Sequence, residues 1–208
     1  MVRPNQQKRD TRFGTWNVRS LYRAGSFTAA SRELARYNLD LVGVSEVRWD
    51  TEGTVRAGDC NFFYRKGNEN HQLGTGFFVL CHRIVSAVKT AEFVSDRVSY
   101  IVLGGCCCNI IVLNVHAPSE EKGDDSKDNF YKELEHVFYH FPKYHTNILL
   151  GDFNAKVGRE NIFKPTTGNE SLHQDSNDNG VRIVNFATSK NLVVKSTMFP
   201  HQNIHKYT

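Results

Sequence analysis

The chain has no apolar run approaching the ~18 residues that cross a bilayer. Its basic start, with Arg3, Lys8, Arg9 and Arg12, has no apolar segment behind it of the kind that marks a secretory leader. These absences predict a soluble protein with no membrane partner. Also missing is any Cys-x-x-Cys pair. The cysteines are five, an odd number, and three of them are consecutive as Cys106-Cys107-Cys108. That pattern argues against a zinc site and a disulfide framework, and for a reducing intracellular compartment; the five read as small buried apolar residues. A strong excess of one charge is lacking as well. The net +4 is compatible with a polyanionic partner without requiring one.

What is present is an ordinary globular balance of 39% hydrophobic and 23% charged residues over 208 positions, enough for one domain with a sizeable core. Residues 1–12 read as a loose, disordered basic arm and 13–208 as the domain. No repeat or interdomain linker interrupts it.

Phe13 to Val18 reads as a first strand. Phe27, Ala30, Leu34 and Tyr37 keep helical spacing after Gly25-Ser26, and Leu39 to Ser45 is an apolar strand followed at once by Glu46. A right-handed crossover between parallel strands would set Asn17 and Glu46 side by side at two strand ends. Two strand pairs follow: Asn61–Arg65 with Gly76–Leu80, and Arg97–Leu103 with Asn109–Val115. The last of these runs out in His116-Ala117-Pro118. After an acidic loop, Phe130, Leu134, Val137, Phe138 and Phe141 predict a helix over Asp128–Phe141, closed by Pro142. Gly158 to Asn177 is a long connection without periodicity, of the kind that is usually functional or mobile. Asn177-Asp178-Asn179 should cap a helix running to about Lys190, with strands predicted at Asn191–Lys195 and from Ile204.

The organising stretch is Asn147-Ile148-Leu149-Leu150-Gly151-Asp152-Phe153-Asn154: a short buried strand that stops at glycine and presents a carboxylate and a carboxamide two positions apart. On an extended chain such residues point to one side, so Asp152 and Asn154 can face one ligand. The plain alternative is an Asx-type turn. Four strand ends thus carry polar groups: Asn17, Glu46, His116, and Asp152 with Asn154. A hard cation such as Mg²⁺ needs one or two carboxylates with waters and substrate phosphate, which Glu46 and Asp152 can supply. The alternatives are an ion pair of Glu46 with Arg48 or Arg19, a half-buried strand histidine at His116, and a solvated edge residue at Arg97.

Thr15-Trp16-Asn17-Val18-Arg19, Ser45-Glu46-Val47-Arg48-Trp49, Asp96-Arg97-Val98-Ser99-Tyr100, Asn114-Val115-His116-Ala117-Pro118 and Gly151-Asp152-Phe153-Asn154 resemble, in order and spacing, the motifs of the endonuclease/exonuclease/phosphatase superfamily. Over Arg12 to Thr208 the chain is similar to the apurinic-type endonuclease domains of non-LTR retrotransposons. The resemblance implies a four-layer α/β sandwich, two packed β-sheets flanked by helices, that hydrolyses phosphodiesters with Mg²⁺ or Mn²⁺. It also implies a DNA substrate; a nuclear setting and no obligate protein partner are separate expectations. By the same resemblance Glu46 matches the metal-binding glutamate and Asn17 the asparagine that organises metal and phosphate. Arg97 matches the phosphate-contacting arginine, Asp152 the aspartate that orients or activates the attacking water and shares the metal, and Asn154 the asparagine that steadies developing charge. Arg159 and Lys164 are further candidates for phosphate contact.

Two departures stand out. His116 occupies a position that is tyrosine in apurinic nucleases, and there it resembles pancreatic deoxyribonuclease and the sphingomyelinases; a histidine suits proton donation near neutral pH. The family also continues, past the position of Thr208, through further strands to a Ser-Asp-His motif. The expectation is therefore a fold lacking its C-terminal strands, impaired in activity, monomeric, and able to associate through exposed sheet edges. Two other readings stay open: an inactive remnant that binds nucleic acid or protein, and a phosphatase or lipid phosphodiesterase suggested by His116.

Overall fold

The computed structural model describes residues 10–67 and 73–200. In chain order the elements are β1 (Phe13–Asn17), α1 (Ser26–Arg36), β2 (Leu41–Ser45), β3 (Gly53–Ala57), β4 (Cys60–Tyr64), β5 (Thr75–Val79), α2 (His82–Ala87), β6 (Val88–Phe93), β7 (Val98–Leu103), β8 (Ile110–His116), α3 (Asp124–Tyr139), β9 (Thr146–Asp152) and α4 (Asp178–Ser189). They fall into two compact units, one formed by the described residues of Met1–Val115 with Lys143–Gly151, the other by His116–Pro142 with the described residues of Asp152–Thr208. No described helix is long and apolar enough to cross a membrane.

The first unit carries both sheets, apart from the last residue of β8 and of β9. One sheet runs β1-β2-β5-β4-β3 and the other β6-β7-β8-β9. β1 and β2 are parallel, joined through α1, while β2, β5, β4 and β3 pair antiparallel. β6, β7 and β8 are antiparallel. At the two ends of the β8 and β9 pair, Thr146 N–H donates to Asn109 O at 3.1 Å and Ala117 N–H to Asp152 O at 2.9 Å. Both chains thus advance in the same direction, and β8 and β9 are parallel, joined through α3.

β2 is buried along its whole length, so its side chains serve two faces. Val42 and Val44 join Ala30 and Leu34 of α1 with Phe62 and Phe78, and Phe27 stacks on Phe78 at 5.6 Å between ring centroids. On the other face Leu41, Phe77 and Val79 meet Ile101, Leu103 and Val112 of the second sheet, with Ile148 and Leu150 of β9 packed alongside. Each fully buried large side chain contributes about 1.5–3 kcal/mol through area removed from water. Asn114, fully buried on β8, crosses between the sheets: its Nδ2 donates to Val44 O at 2.8 Å and Gly76 O at 3.3 Å. Gly43 leaves room for it, since a Cβ there would lie 2.6 Å from Asn114 Oδ1.

In the second unit α3 and α4 pack through Phe138 and Phe186, 5.3 Å apart. They are tied by Arg182 to Asp124, Asp128 and Asp178, and by Lys127 to Asp178. α3 starts four residues before the predicted Asp128. Asp124 and Asp125, read from the sequence as loop, form its first turn, where carboxylates complement the positive end of the helix dipole. The connection from Gly158 to Asn177 is built by its own hydrogen bonds: Ser176 donates its N–H and its hydroxyl to the two carboxylate oxygens of Glu160, and Arg159 N–H donates to Gln174 O at 3.0 Å.

Three expectations are corrected. Asn191–Lys195 is not a strand. Asn191 takes φ +54°, its N–H donates to Thr188 O and that of Leu192 to Ala187 O, so these residues form the C-terminal cap of α4; a short 3₁₀ turn, Lys195–Thr197, follows. The cysteines are not uniformly buried: Cys60 is, but Cys106 and Cys107 are exposed in the turn between β7 and β8. Ile148 and Leu150 are half-buried rather than buried. Residues 1–9 of the expected arm and the strand expected from Ile204 lie outside the described residues; Arg12 is bonded to Asp40 through its N–H at 2.8 Å.

Candidate active-site residues

The parallel β1 and β2 pair Asn17 with Ser45, which brings the next residue, Glu46, to the end of the neighbouring strand. Asn17 Nδ2 donates to Glu46 Oε1 at 2.8 Å, while Asn17 Oδ1 accepts from Arg19 N–H at 3.1 Å. The other Glu46 oxygen, Oε2, accepts from Arg48 Nη2 at 2.6 Å. The ion pair considered from the sequence is therefore real, and it coexists with the Asn17 contact on the same carboxylate, whose side chain is 17% exposed. Past the strand ends the backbone enters the left-handed region at Arg19 (φ +51°), Ser20 (φ +110°), Glu46 (φ +58°) and Arg48 (φ +60°). Such conformations cost of order 1–3 kcal/mol each in non-glycine residues and cluster where a site is held by its surroundings. Here the holding bonds are Leu21 N–H to Val47 O and Trp49 Nε1–H to Leu21 O.

Arg97 lies just before β7 in the same unit. Gly74 links its neighbour to the Glu46 segment: Val47 N–H donates to Gly74 O at 3.2 Å, and Gly74 N–H to Asp96 O at 3.2 Å. Gly74 takes φ +102° with Gly67 N only 3.0 Å from where a Cβ would sit, so no larger residue fits.

In the second unit the ends of β8 and β9 bring His116, Asp152 and Asn154 together. Gly151 makes this possible, with φ +142° and Val115 O 2.0 Å from the position of a Cβ. Asp152 O accepts from Ala117 N–H, Asp152 Oδ1 accepts from Asn154 N–H at 3.0 Å, and Asn154 Nδ2 donates to Ala117 O at 2.8 Å. The expected presentation of Asp152 and Asn154 by strand alternation is corrected. The strand ends at Asp152, Asn154 turns left-handed at φ +47°, and the two are related by an Asx turn in which an asparagine tolerates positive φ. His116 is the last residue of β8 and 8% exposed. Arg159 and Lys164 are exposed on the 158–177 connection, Arg159 Nε donating to Ser171 O at 2.6 Å and Lys164 Nζ to Asn161 Oδ1 at 2.8 Å.

Two structural residues escaped the sequence reading. In the sequence Asn114 stands within the Asn114-Val115-His116-Ala117-Pro118 motif and Asn179 within a helix cap. No sequence signal marks Asn179: the capping role belongs to Asn177, which accepts from Gly180 N–H at 2.8 Å, and only the contacts of the Asn179 side chain show its part.

Among the described residues no group of three or more His, Cys, Asp and Glu side chains is arranged to hold a metal ion. A hard cation asks for less, one or two carboxylate oxygens with water and substrate phosphate. Glu46, oriented by the Asn17 amide, fits that smaller demand.

The endonuclease/exonuclease/phosphatase family model matches residues 14–192. Craniofacial development protein 2 from Bos taurus is 29% identical over 195 residues, as is its counterpart from Tragulus javanicus. These alignments cover 94% of this chain but 32% and 33% of the relatives, so the chain spans about a third of the length of the curated relatives it matches. Among solved structures, the endonuclease domain of TRAS1, a telomere-specific non-LTR retrotransposon, superposes with a TM-score of 0.57 at 12% identity, covering 87% of this chain and 71% of that one. The AP endonuclease LMAP from Leishmania major gives 0.61 at 13% identity, covering 87% and 67%. These likenesses show the fold, the α/β sandwich of two mixed sheets with helices that the motifs implied. Family and fold are those of hydrolytic nucleases and phosphodiesterases, enzymes generally dependent on a divalent metal. With the family model matched from the first strand to beyond the last helix, the chain belongs to the endonuclease/exonuclease/phosphatase family.

Proposed function

We propose that this chain is a Mg²⁺-dependent phosphodiesterase of retroelement origin acting on DNA, with Mn²⁺ able to replace Mg²⁺. The observation that carries the reading is the 2.8 Å contact of Asn17 with Glu46: two residues 29 positions apart, each matching a metal- or phosphate-handling residue of the family, share one hydrogen bond. Glu46 would hold the cation, with Asn17 fixing the carboxylate. Bound there, the cation would neutralise charge on the phosphate oxygens.

Protein groups do the rest of the work by positioning and charge stabilisation. Asp152, its Oδ1 anchored by Asn154 N–H, orients the attacking water and draws off its proton. Asn154 spends one amide proton on Ala117 O and has the second to donate to the charge that develops on phosphate. Arg97, Arg159 and Lys164 supply cationic contacts to the DNA backbone. His116 returns a proton to the departing oxygen. A DNA substrate makes the nucleus the fitting location.

Plasmid DNA with Mg²⁺ tests the reading. The wild-type chain should nick it, and Glu46→Gln and Asp152→Asn should each slow nicking by about 10²-fold or more, the usual worth of such groups. Nicking retained by both variants would overturn it.

One observation favours a second reading, a nucleic-acid- or protein-binding module without turnover. The Arg48 guanidinium, 2.6 Å from Glu46 Oε2, neutralises the carboxylate that the cation would need. Mg²⁺-dependent cleavage by the wild-type chain would eliminate it.

A further inference from the structure

The turn that carries Asp152 and Asn154 is held by a side chain with no chemistry of its own. Asn179, in the first turn of α4, is 1% exposed. Its Nδ2 donates to Pro118 O and to Asn154 O, each at 3.0 Å. A carboxamide has two N–H donors, and two carbonyl partners use both, which also settles which side-chain atom faces them. Pro118 follows Ala117, whose N–H goes to Asp152 O and whose O receives Asn154 Nδ2. Asn179 therefore grips the chain leaving β8 and the chain leaving β9 at the points where His116, Asp152 and Asn154 are displayed.

Asn179 is itself anchored. Its N–H donates to Glu120 Oε2 at 3.3 Å, and the same carboxylate receives Asn177 Nδ2 at 2.9 Å and Asp178 N–H at 3.2 Å. Behind these, Lys127 is 4% exposed with its Nζ 2.9 Å from Asp178 Oδ2 and 3.9 Å from Glu120 Oε1. A nearly enclosed ammonium must keep anionic partners, so the pair of acids is fixed in place. Gly180 lets α4 approach the strand exit, since a Cβ there would lie 1.9 Å from Lys156 O. Lys156 N–H donates to Asn177 Oδ1 at 2.9 Å and Asn177 N–H to Lys156 O at 3.1 Å.

We infer that Asn179 is a positioning residue, setting the place of Asp152 and Asn154 by anchoring the Asn154 and Pro118 carbonyls, with Glu120 and Lys127 anchoring it in turn. The inference rests on the reading of Asp152 and Asn154 as the groups that orient water and steady charge. Asn179→Ser keeps one shorter donor, and Asn179→Asp turns acceptor oxygens toward two carbonyls. In the full chain, amide hydrogen exchange at Asn154 and Ala155 and the side-chain amide resonance of Asn154 are measured against Leu41–Ser45 of β2 and Ile183–Ala187 of α4.

Losing one or two hydrogen bonds should speed exchange at Asn154 and Ala155 by about tenfold and shift the Asn154 resonance, with both reference segments unchanged. In plasmid nicking, kcat should fall about tenfold or more with KM within about twofold, as misplacement of a reacting group predicts. Unchanged exchange at Asn154, or equal acceleration in α4 and β2, overturns the clamp. A loosened turn with full kcat overturns its role in positioning. A wild-type chain that does not nick DNA sinks the nuclease reading instead, and the exchange measurement still decides the clamp.

Discussion

At the scale of one residue, Glu46 divides its carboxylate between a carboxamide on one oxygen and a guanidinium on the other. Asn17 orients the carboxylate without neutralising it, whereas Arg48 competes for its charge. A buried carboxamide plays the corresponding structural part at Asn114. Its contact with Gly43 predicts a coupling. Gly43→Ala pushes a methyl against Asn114 Oδ1 and should cost about 1–3 kcal/mol by overpacking. Asn114→Ala, which deletes a buried donor to two carbonyls, should cost a similar amount, about 1–3 kcal/mol. Because the truncated side chain no longer meets the added methyl, the double variant should be more stable than the sum of the two costs allows. Urea midpoints of the four proteins give the interaction energy directly; strict additivity would show that Gly43 is not there to admit Asn114.

At the scale of elements, α3 and α4 are held by charge as well as by their aromatic faces. Hydrogen bonds from Lys127 and then Arg182 hold the Asp178 carboxyl below its ordinary range, against burial, which opposes them. A lowered folded-state value means the unfolded chain binds more protons through the titration. The contribution is then complete above the ordinary value of 3.8 and is lost as pH falls through the lower folded value. At a carboxylate 44% exposed, solvent screening keeps it to about 1 kcal/mol or less. The stability advantage of wild type over Asp178→Asn should be constant above about pH 5 and shrink below about pH 4; an advantage unchanged to about pH 3 would assign the loss to packing instead. Glu160 behaves in the same sense: burial alone would raise it, but the Ser176 N–H and hydroxyl outweigh that and hold it low. The elements themselves were unevenly legible. β2, β5, β7 and β8 carry apolar runs because both faces are covered, and all were visible in the sequence. β3 and β6 were not, and each is one of the two outer strands of its sheet; the other two, β1 and β9, were legible from their alternating and apolar segments. Gly53–Ala57 and Val88–Phe93 are half-exposed and polar, as edge strands are, so only pairing with a neighbour identifies them. α2, six residues long, is too short to show a helical period. The Asn17 and Glu46 pair was legible because a crossover rule governs it, whereas Asn179 was not, since its partners are main-chain carbonyls that leave no mark on composition.

At the scale of the whole molecule, the two compact units each have hydrogen-bonded strand ends and positions matched to the family's motifs, but the positive charge is concentrated elsewhere. Arg3, Lys8 and Arg9, with no acidic residue among 1–9, supply three of the four net charges. Residues 10–208 are close to neutral overall, and any attraction to DNA over that span depends on where Arg97, Arg159 and Lys164 stand rather than on net charge. The two sources separate by salt. Each phosphate neutralised contributes a slope of about 0.9 in log affinity against log salt for duplex DNA. Deleting residues 1–9 should therefore reduce the slope by up to about 3 if those cations carry the contact, and Arg159→Ala or Lys164→Ala by about 1 each if the 158–177 connection does. Fluorescence anisotropy with a short duplex, between about 50 and 200 mM salt, resolves the two. A slope indifferent to the deletion but lowered by Arg159→Ala would place the nucleic-acid contact on the 158–177 connection, which the Glu160 and Ser176 hydrogen bonds hold together.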